Sequence, residues 1–179
     1  IINPAVYYDE KFNIIDIYEN EDTTRIELEF YEAVDGDTAK FNLNNEIITV
    51  RFLGIDTPET VHTQKEEQPY GQEASNYTKT RLENGDKIEL EYDSNSSEKD
   101  KYGRVLAWIW IDDSLLQEEL VKNGLARTYM LQDNYRYAGR LQLAEEEAKN
   151  NHINIWNENN DTEEIKKDNY IQIIILIIV

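Results

Sequence analysis

Polar and apolar residues alternate over Arg25-Ile26-Glu27-Leu28-Glu29-Phe30-Tyr31, which predicts a half-buried strand. Lys40-Phe41-Asn42-Leu43 predicts a second strand, and Asn44-Asn45 a tight turn after it. Residues 46–53, rich in β-branched side chains, predict a third, so the three form a meander. Further on, Ala74, Tyr77, Thr78, Arg81 and Leu82 recur at helical spacing, and Asn84-Gly85 closes that helix. Residues 87–92 alternate again and predict a fourth strand. After a polar loop over residues 93–103, residues 105–111 are almost all apolar, which predicts a fifth strand buried on both faces. Ser114 and Gln117 have the spacing of a capping box. They open a helix that buries Leu116, Leu120 and Val121 and stops at Gly124. A third helix over residues 135–150 buries Tyr137, Leu141, Ala144 and Ala148 and turns Glu145, Glu146 and Lys149 outward. Ile153, Ile155 and Trp156 then pack back as apolar anchors.

Three strands come in succession before any helix, which argues against alternating βαβ units and a parallel sheet. The reading is an α+β fold, mainly β: a closed five-stranded barrel of the OB type with three helices. Residues 25–160 form this domain. Residues 1–24 are an extension in which Phe12, Ile14, Ile15 and Ile17 suit an extra strand. Residues 161–179 are a charged linker and an apolar tail. The run from Ile171 to Val179 is shorter than the ~20 residues that cross a bilayer. Two readings stand for it: a strand over the barrel edge, or the first turns of a truncated membrane anchor.

Charge complicates the choice of partner. With 37 acidic against 18 basic residues the net charge is -19, the opposite of the usual nucleic-acid footprint. The plain meaning of such acidity is solubility; a protein partner for the acidic surface is a further reading. A bound cation beside a few arginines can reverse the sign locally. There is no cysteine, so disulfides, zinc–thiolate sites and thiol nucleophiles are excluded. The first residue is Ile, so the expectation is a fragment or processed product whose signal peptide has been removed. An exported protein that is secreted or anchored at the cell surface, and monomeric, fits these features.

The candidate chemistry lies between Asp35 and Glu59. Asp35-Gly36-Asp37-Thr38 and Arg51-Phe52-Leu53-Gly54-Ile55-Asp56-Thr57-Pro58-Glu59 lie at the two ends of a strand–turn–strand segment. Pairing of the strands brings Asp37, Asp56 and Glu59 together beside Arg51. Those are oxygen ligands for a hard divalent cation next to a fork-shaped phosphate binder. The acids could instead cap turns, and Arg51 and Arg104 could simply pair with surplus acid. Lys101, Tyr102 and Tyr129 could contact a second phosphate or stack on a base. His62 and His152 suit solvent-facing polar roles.

These stretches, with Tyr70-Gly71-Gln72-Glu73-Ala74, Asp100-Lys101-Tyr102-Gly103-Arg104, Asn123-Gly124-Leu125-Ala126 and Asn154-Ile155-Trp156, resemble the staphylococcal nuclease (thermonuclease) family. The likeness runs in order over about residues 25–160. It implies an SNase-like OB-fold and Ca²⁺ held by Asp37, Asp56 and the carbonyl of Thr57. Arg51 and Arg104 would hold the scissile phosphate, and Glu59 would activate or orient the attacking water. Lys101, Tyr102 and Tyr129 would hold the substrate's terminal phosphate and sugar. Arg127-Thr128-Tyr129 is one residue shorter than the family pattern, and Glu66 and Glu67 follow Lys65 in a loop that is basic in the family. The implied activity is Ca²⁺-dependent hydrolysis of DNA and RNA, preferably single-stranded, with 3′-phosphate products. The alternative is a catalytically weak OB-fold module that binds nucleic acid or protein.

Overall fold

The computed structural model describes residues 5–8, 14–18, 24–60 and 68–157. Lys65, His62 and the apolar tail lie outside the described residues. Among the described residues no helix is long and apolar enough to cross a membrane. In the extension, β1 (Ala5–Tyr8) and β2 (Ile14–Tyr18) pair antiparallel as a sheet of their own, where the sequence suggests a single strand.

The barrel is built from β3 (Ile26–Ala33), β4 (Thr38–Leu43), β5 (Glu46–Phe52), β7 (Ile88–Glu91) and β8 (Val105–Ile111). The short β6 (Ile55–Asp56) follows β5, and α1 (Gly71–Asn84) comes before β7. Hydrogen bonding runs in the order β5-β4-β3-β7-β8, and a parallel β5–β8 pairing closes the ring. Closure leaves no barrel strand with a bare edge. The expected five-stranded OB-type barrel is therefore the observed one. Asn44 and Asn45 both take positive φ (53° and 68°), the two-residue turn whose twist suits a tight hairpin, and Leu43 faces Glu46 across it. Phe41, Val50, Phe52, Leu90, Ala107 and Ile109 fill the interior and are essentially inaccessible. As its composition predicts, β8 is buried almost throughout: β7 and β5 pair with its two edges and α2 packs against it.

The expected capping box is not formed. Ser114 belongs to β9 (Ser114–Leu115), which pairs with the end of β8 across the Asp112-Asp113 turn. The helix α2 (Leu116–Lys122) begins after Leu115 without a side-chain cap. Gln117 is fully buried: its Nε2 donates to the Ala107 carbonyl at 2.9 Å and its Oε1 accepts from the Ile109 amide at 3.1 Å. Gln117 is committed to two buried backbone groups of β8, whose bonds would otherwise go unmade, and so is not free to cap the helix.

The segment after α2 is fixed by short β10 (Arg127–Thr128) and by α3 (Ala138–Asn150). This third helix starts later than its periodicity suggests, because the Arg136 amide is drawn to Asp93 Oδ2 at 2.8 Å. Asp93 opens a stretch that reads as an exposed polar loop, yet it is buried and also accepts from Trp108 Nε1 at 2.9 Å. Glu91, 1% exposed, accepts from Trp110 Nε1 at 2.8 Å and from the Tyr137 hydroxyl. These bonds moor the start of α3 to the barrel. Glu145 is half-buried where the periodicity turns it outward: its Oε1 accepts from the Thr128 amide at 2.7 Å.

Candidate active site

Three segments meet at one end of the barrel. The Asp35–Thr38 turn joins β3 to β4, and β6 follows β5 through a turn at Leu53-Gly54. The parallel pairing sets Arg51 against Leu106 and so brings the start of β8, with Arg104, beside them. Together they line a half-open cleft of about 800 Å³ that also takes in Glu59, Lys101, Tyr102 and Tyr129. Topology thus gathers every residue expected to take part.

Asp37 is buried and its carboxylate is fully engaged. Its Oδ1 accepts from Thr38 Oγ1 at 3.0 Å, and its Oδ2 accepts from the Thr57 amide at 3.0 Å and meets Arg51 Nη2 at 3.0 Å. The same Nη2 lies 2.8 Å from Asp56 Oδ1. Arg51 Nη1 donates to the carbonyls of Phe52 and Ile55, at 2.9 and 2.7 Å. Arg51 thus makes three hydrogen bonds across the turn from β5 to β6 and an ion pair to Asp37 of the β3–β4 turn, so it clasps the two turns together. It is not poised as an open fork for phosphate. Thr57 contributes its amide to this web.

The acid pair carries more charge than one arginine offsets. Asp35 Oδ1 accepts from the Asp37 amide at 3.0 Å. Burial, reinforced by the Asp37 carboxylate, lifts the Asp35 carboxyl from 3.8 to about 6. Partial burial and the same Asp37 charge raise Asp56, against the pull of Arg51. Charge crowding of this kind favours a bound cation.

Two glycines let the site close up. A Cβ on Gly36 would lie 2.7 Å from Thr57 Oγ1 and 2.9 Å from Ala74 Cβ, so α1 and the Thr57 turn press directly on the Asp35–Asp37 turn. Thr78 Oγ1 of α1 donates to the Gly36 carbonyl at 2.7 Å. A Cβ on Gly71 would lie 2.5 Å from the Glu59 carbonyl. Gln68 holds Glu59 from the other side: its Oε1 accepts from the Glu59 amide at 2.9 Å, and its amide donates to the Glu59 carbonyl at 3.1 Å.

Across the cleft, Arg104 Nε donates to Asp100 Oδ2 at 2.7 Å. Among the described residues its two terminal nitrogens make no hydrogen bond, and Arg104 is one of the residues that line the cleft. Burial pushes the Asp100 carboxyl up, but Arg104 and the amides of Tyr102 and Arg104 outweigh it and hold the group ionised below its usual range. Lys101 Nζ and Arg104 Cζ lie 4.9 and 5.7 Å from the centre of the Tyr102 ring. The strand pair β6–β10 sets Arg127 opposite Asp56, and the Tyr129 amide donates to the Gly54 carbonyl at 2.9 Å. Tyr129 therefore reaches the cleft rim despite the shortened segment.

A hard divalent cation fits this donor set. One cationic nitrogen, Arg51 Nη2, already touches a carboxylate oxygen from both Asp37 and Asp56. Among the described residues no three acidic or imidazole side chains enclose a point by themselves. An ion resting on two carboxylates would complete its shell with backbone oxygen and water. Asp35 and Asp100, which the sequence shows within its motifs but without a role, and Gln68 and Met130, which it does not single out, also touch or line the site. The spacing of Asp35 to Asp37 and of Asp100 to Tyr102, each a side chain bonding the amide two residues on, is the local signal for the first two. Gln68 and Met130 leave no local signal.

A sequence model described as "Staphylococcal nuclease homologue" matches residues 49–158, well over half of the chain. A thermonuclease of Staphylococcus hyicus is 41% identical over 137 residues, which are 76% of this chain and 77% of the relative. Endonuclease YncB of Bacillus subtilis (strain 168) is 44% identical over 125 residues, 69% of this chain and 58% of the relative. The SPbeta prophage-derived endonuclease YokF of the same organism is 44% identical over 128 residues, 71% of this chain but 43% of the relative. The barrel, the clustered motifs and these matches agree, and the chain belongs to the staphylococcal nuclease family.

Proposed function

We propose that the protein is a Ca²⁺-dependent nuclease that hydrolyses phosphodiester bonds of DNA and RNA with little sequence preference and leaves 3′-phosphate ends. The observation that carries this reading is the pairing of an acid-rich cation seat, Asp37 and Asp56, with the open guanidinium of Arg104 across one cleft. Asp37, Asp56 and the Thr57 carbonyl would hold the ion. Bound there, Ca²⁺ would offset phosphate charge and polarise the phosphorus centre. Arg104 grips the non-bridging oxygens with its free nitrogens and meets the charge that builds in the transition state. Arg51 reaches the phosphate only by releasing Asp37 and Asp56, so cation binding and phosphate binding support each other. Glu59, its backbone fixed by Gln68, orients the attacking water or takes its proton. The 5′-oxygen leaves on the far side of phosphorus from that water.

Lys101 and Tyr102 hold a neighbouring phosphate and sugar with Tyr129, and bases are met by stacking, which favours single strands. Residues 25–160 are the catalytic unit in this reading. A chain without cysteine also suits a secreted or surface-anchored setting, since it folds without disulfides. Incubation with plasmid and single-stranded DNA, and with RNA, in Ca²⁺ or in a chelator is the direct test. The expected result is cleavage in Ca²⁺ alone, with products that a 3′-phosphatase converts to extendable primers. Binding without cleavage in Ca²⁺ would instead establish the catalytically weak binding module.

A further inference from the structure

One face of α1 braces both halves of the site. Gly71, Ala74 and Thr78 follow one another at helical spacing, and all three are buried. Gly71 lies so close to the Glu59 carbonyl that a Cβ on it would come within 2.5 Å. Ala74 presses on Gly36 in the same way: its Cβ would lie 2.9 Å from a Cβ there. One turn further on, Thr78 Oγ1 donates to the Gly36 carbonyl at 2.7 Å, across 42 residues of chain. The helix is in turn tied to α2, where Glu119 accepts from Arg81 Nε and Nη2 at 2.7 and 3.0 Å and from the Tyr77 hydroxyl at 3.1 Å.

Thr78 is fully inaccessible, and packing alone does not account for its hydroxyl. A threonine inside a helix ordinarily bonds a carbonyl of its own preceding turn. This one reaches instead to the turn between β3 and β4. Valine would have nearly the same shape with no buried polar atom to satisfy. The hydroxyl adds a lock on one peptide group. The Gly36 carbonyl and the Asp37 amide belong to a single rigid plane. Thr78 holds the oxygen of that plane, and Asp35 Oδ1 holds its N–H, at 2.7 and 3.0 Å. Among the described residues no other donor reaches that oxygen. With both ends held the plane cannot turn over, and the next side chain along, Asp37, keeps its place against Arg51 and the Thr57 amide. We propose that Thr78 is a positioning residue of the cation seat: through the Gly36–Asp37 peptide it holds Asp37 ready for the ion, and α1 thereby fixes the seat relative to Glu59. This rests on reading Asp37 and Asp56 as the seat of a divalent cation. Thr78 acts on the affinity for the ion and leaves the chemical step alone once the ion is bound.

Calorimetric titration of the full chain with CaCl₂, without nucleic acid, separates the two roles a buried threonine can have. Thr78→Val keeps the shape and removes the hydroxyl, whereas Thr78→Ser keeps the hydroxyl and removes the methyl. The dissociation constant for Ca²⁺ is expected to rise about tenfold in Thr78→Val, the loss of one buried hydrogen bond behind the seat. In Thr78→Ser it should stay within about twofold of the wild type. Tyr137→Phe loses a buried hydrogen bond at a residue that does not line the cleft, so it controls for general destabilisation and should bind Ca²⁺ as the wild type does. At saturating Ca²⁺, kcat and KM of Thr78→Val on single-stranded DNA should return to wild-type values. The opposite ranking, with Thr78→Ser weakened and Thr78→Val intact, would make Thr78 a packing residue and overturn the assignment. So would equal Ca²⁺ affinity in all variants, or an equal loss in Tyr137→Phe. Should Thr78→Val not fold, weak binding by Thr78→Ser would overturn it as well. A wild-type protein that binds no Ca²⁺ would instead overturn the cation seat, and the role of Thr78 with it.

Discussion

Replacing Asp35 with Asn probes the charge crowding that defines the cation seat. Asparagine keeps the shape and the Oδ1 that accepts from the Asp37 amide at 3.0 Å, and removes only the charge. The folded carboxyl titrates at about 6 instead of 3.8, chiefly through burial and then through the Asp37 carboxylate. A raised folded pKa means that the native state holds the proton more tightly than the unfolded chain. Wild-type stability is therefore highest below the unfolded value, falls as pH rises through the window from 3.8 to about 6, and stays reduced above it. At about 1.4 kcal/mol for each tenfold change in proton affinity, the ceiling is about 3 kcal/mol. Because Asp35 is only partly buried, water screens some of this, and a gain of about 1–2 kcal/mol for Asp35→Asn at neutral pH is the working figure. Urea unfolding of both proteins in a chelator, at about pH 4 and about pH 7.5, reads it directly. The variant should be more stable at neutral pH, and the gap should close on acidification. A variant less stable than wild type at neutral pH, or a gap independent of pH, would refute the idea that Asp35 is destabilised by its neighbours. Adding Ca²⁺ should then stabilise the wild type more than the variant, since the ion relieves the same repulsion.

Three further substitutions test other joints of the site. Arg104→Gln should cut kcat by about 100-fold or more while shifting the unfolding free energy by less than about 1 kcal/mol, because its pair with Asp100 is partly exposed and its free nitrogens serve the phosphate. A matching loss of stability in denaturant titration would mark it as structural. Gly36→Ala should destabilise by about 1–3 kcal/mol, since the new methyl lands on Thr57 and Ala74, and calorimetric titration with Ca²⁺ should show weaker binding. An unchanged thermal midpoint would show that the turn yields more easily than the packing implies. Tyr137→Phe leaves buried Glu91 short of a donor and should cost about 1–3 kcal/mol with nuclease kinetics unchanged. A fall in kcat would mean that the mooring of α3 reaches the cleft.

Much of the fold was legible locally. The alternation over β3 and β7, the paired asparagines of the β4–β5 turn and the apolar run of β8 each state one structural choice within a few residues. The acids and Arg51 of the site were legible too, as chemical types gathered by a short strand–turn–strand segment. Illegible were the features whose cause lies far along the chain. Gln117 looks like a helix cap until β8 places two buried backbone groups beside it. Asp93 looks like loop surface until Trp108 and the Arg136 amide bury it. Gln68 is one polar residue among many until the chain returns it to Glu59.

By itself the sequence determined the period of each element, the chemistry available at the cleft and the absence of any thiol alternative, because these follow from residue type and near neighbours. Only the tertiary structure decided which donors are spent and which remain open. Arg51 and Arg104 read alike in the chain. Closure of the barrel locks one between Asp37 and Asp56 and leaves the other at the cleft wall, held through its Nε alone among the described residues. It also decided that Thr78 meets the Gly36 carbonyl. A hydrogen bond is made once, by whichever partner folding brings nearest, and that partner is set by the pairing of β5 with β8 and of β6 with β10.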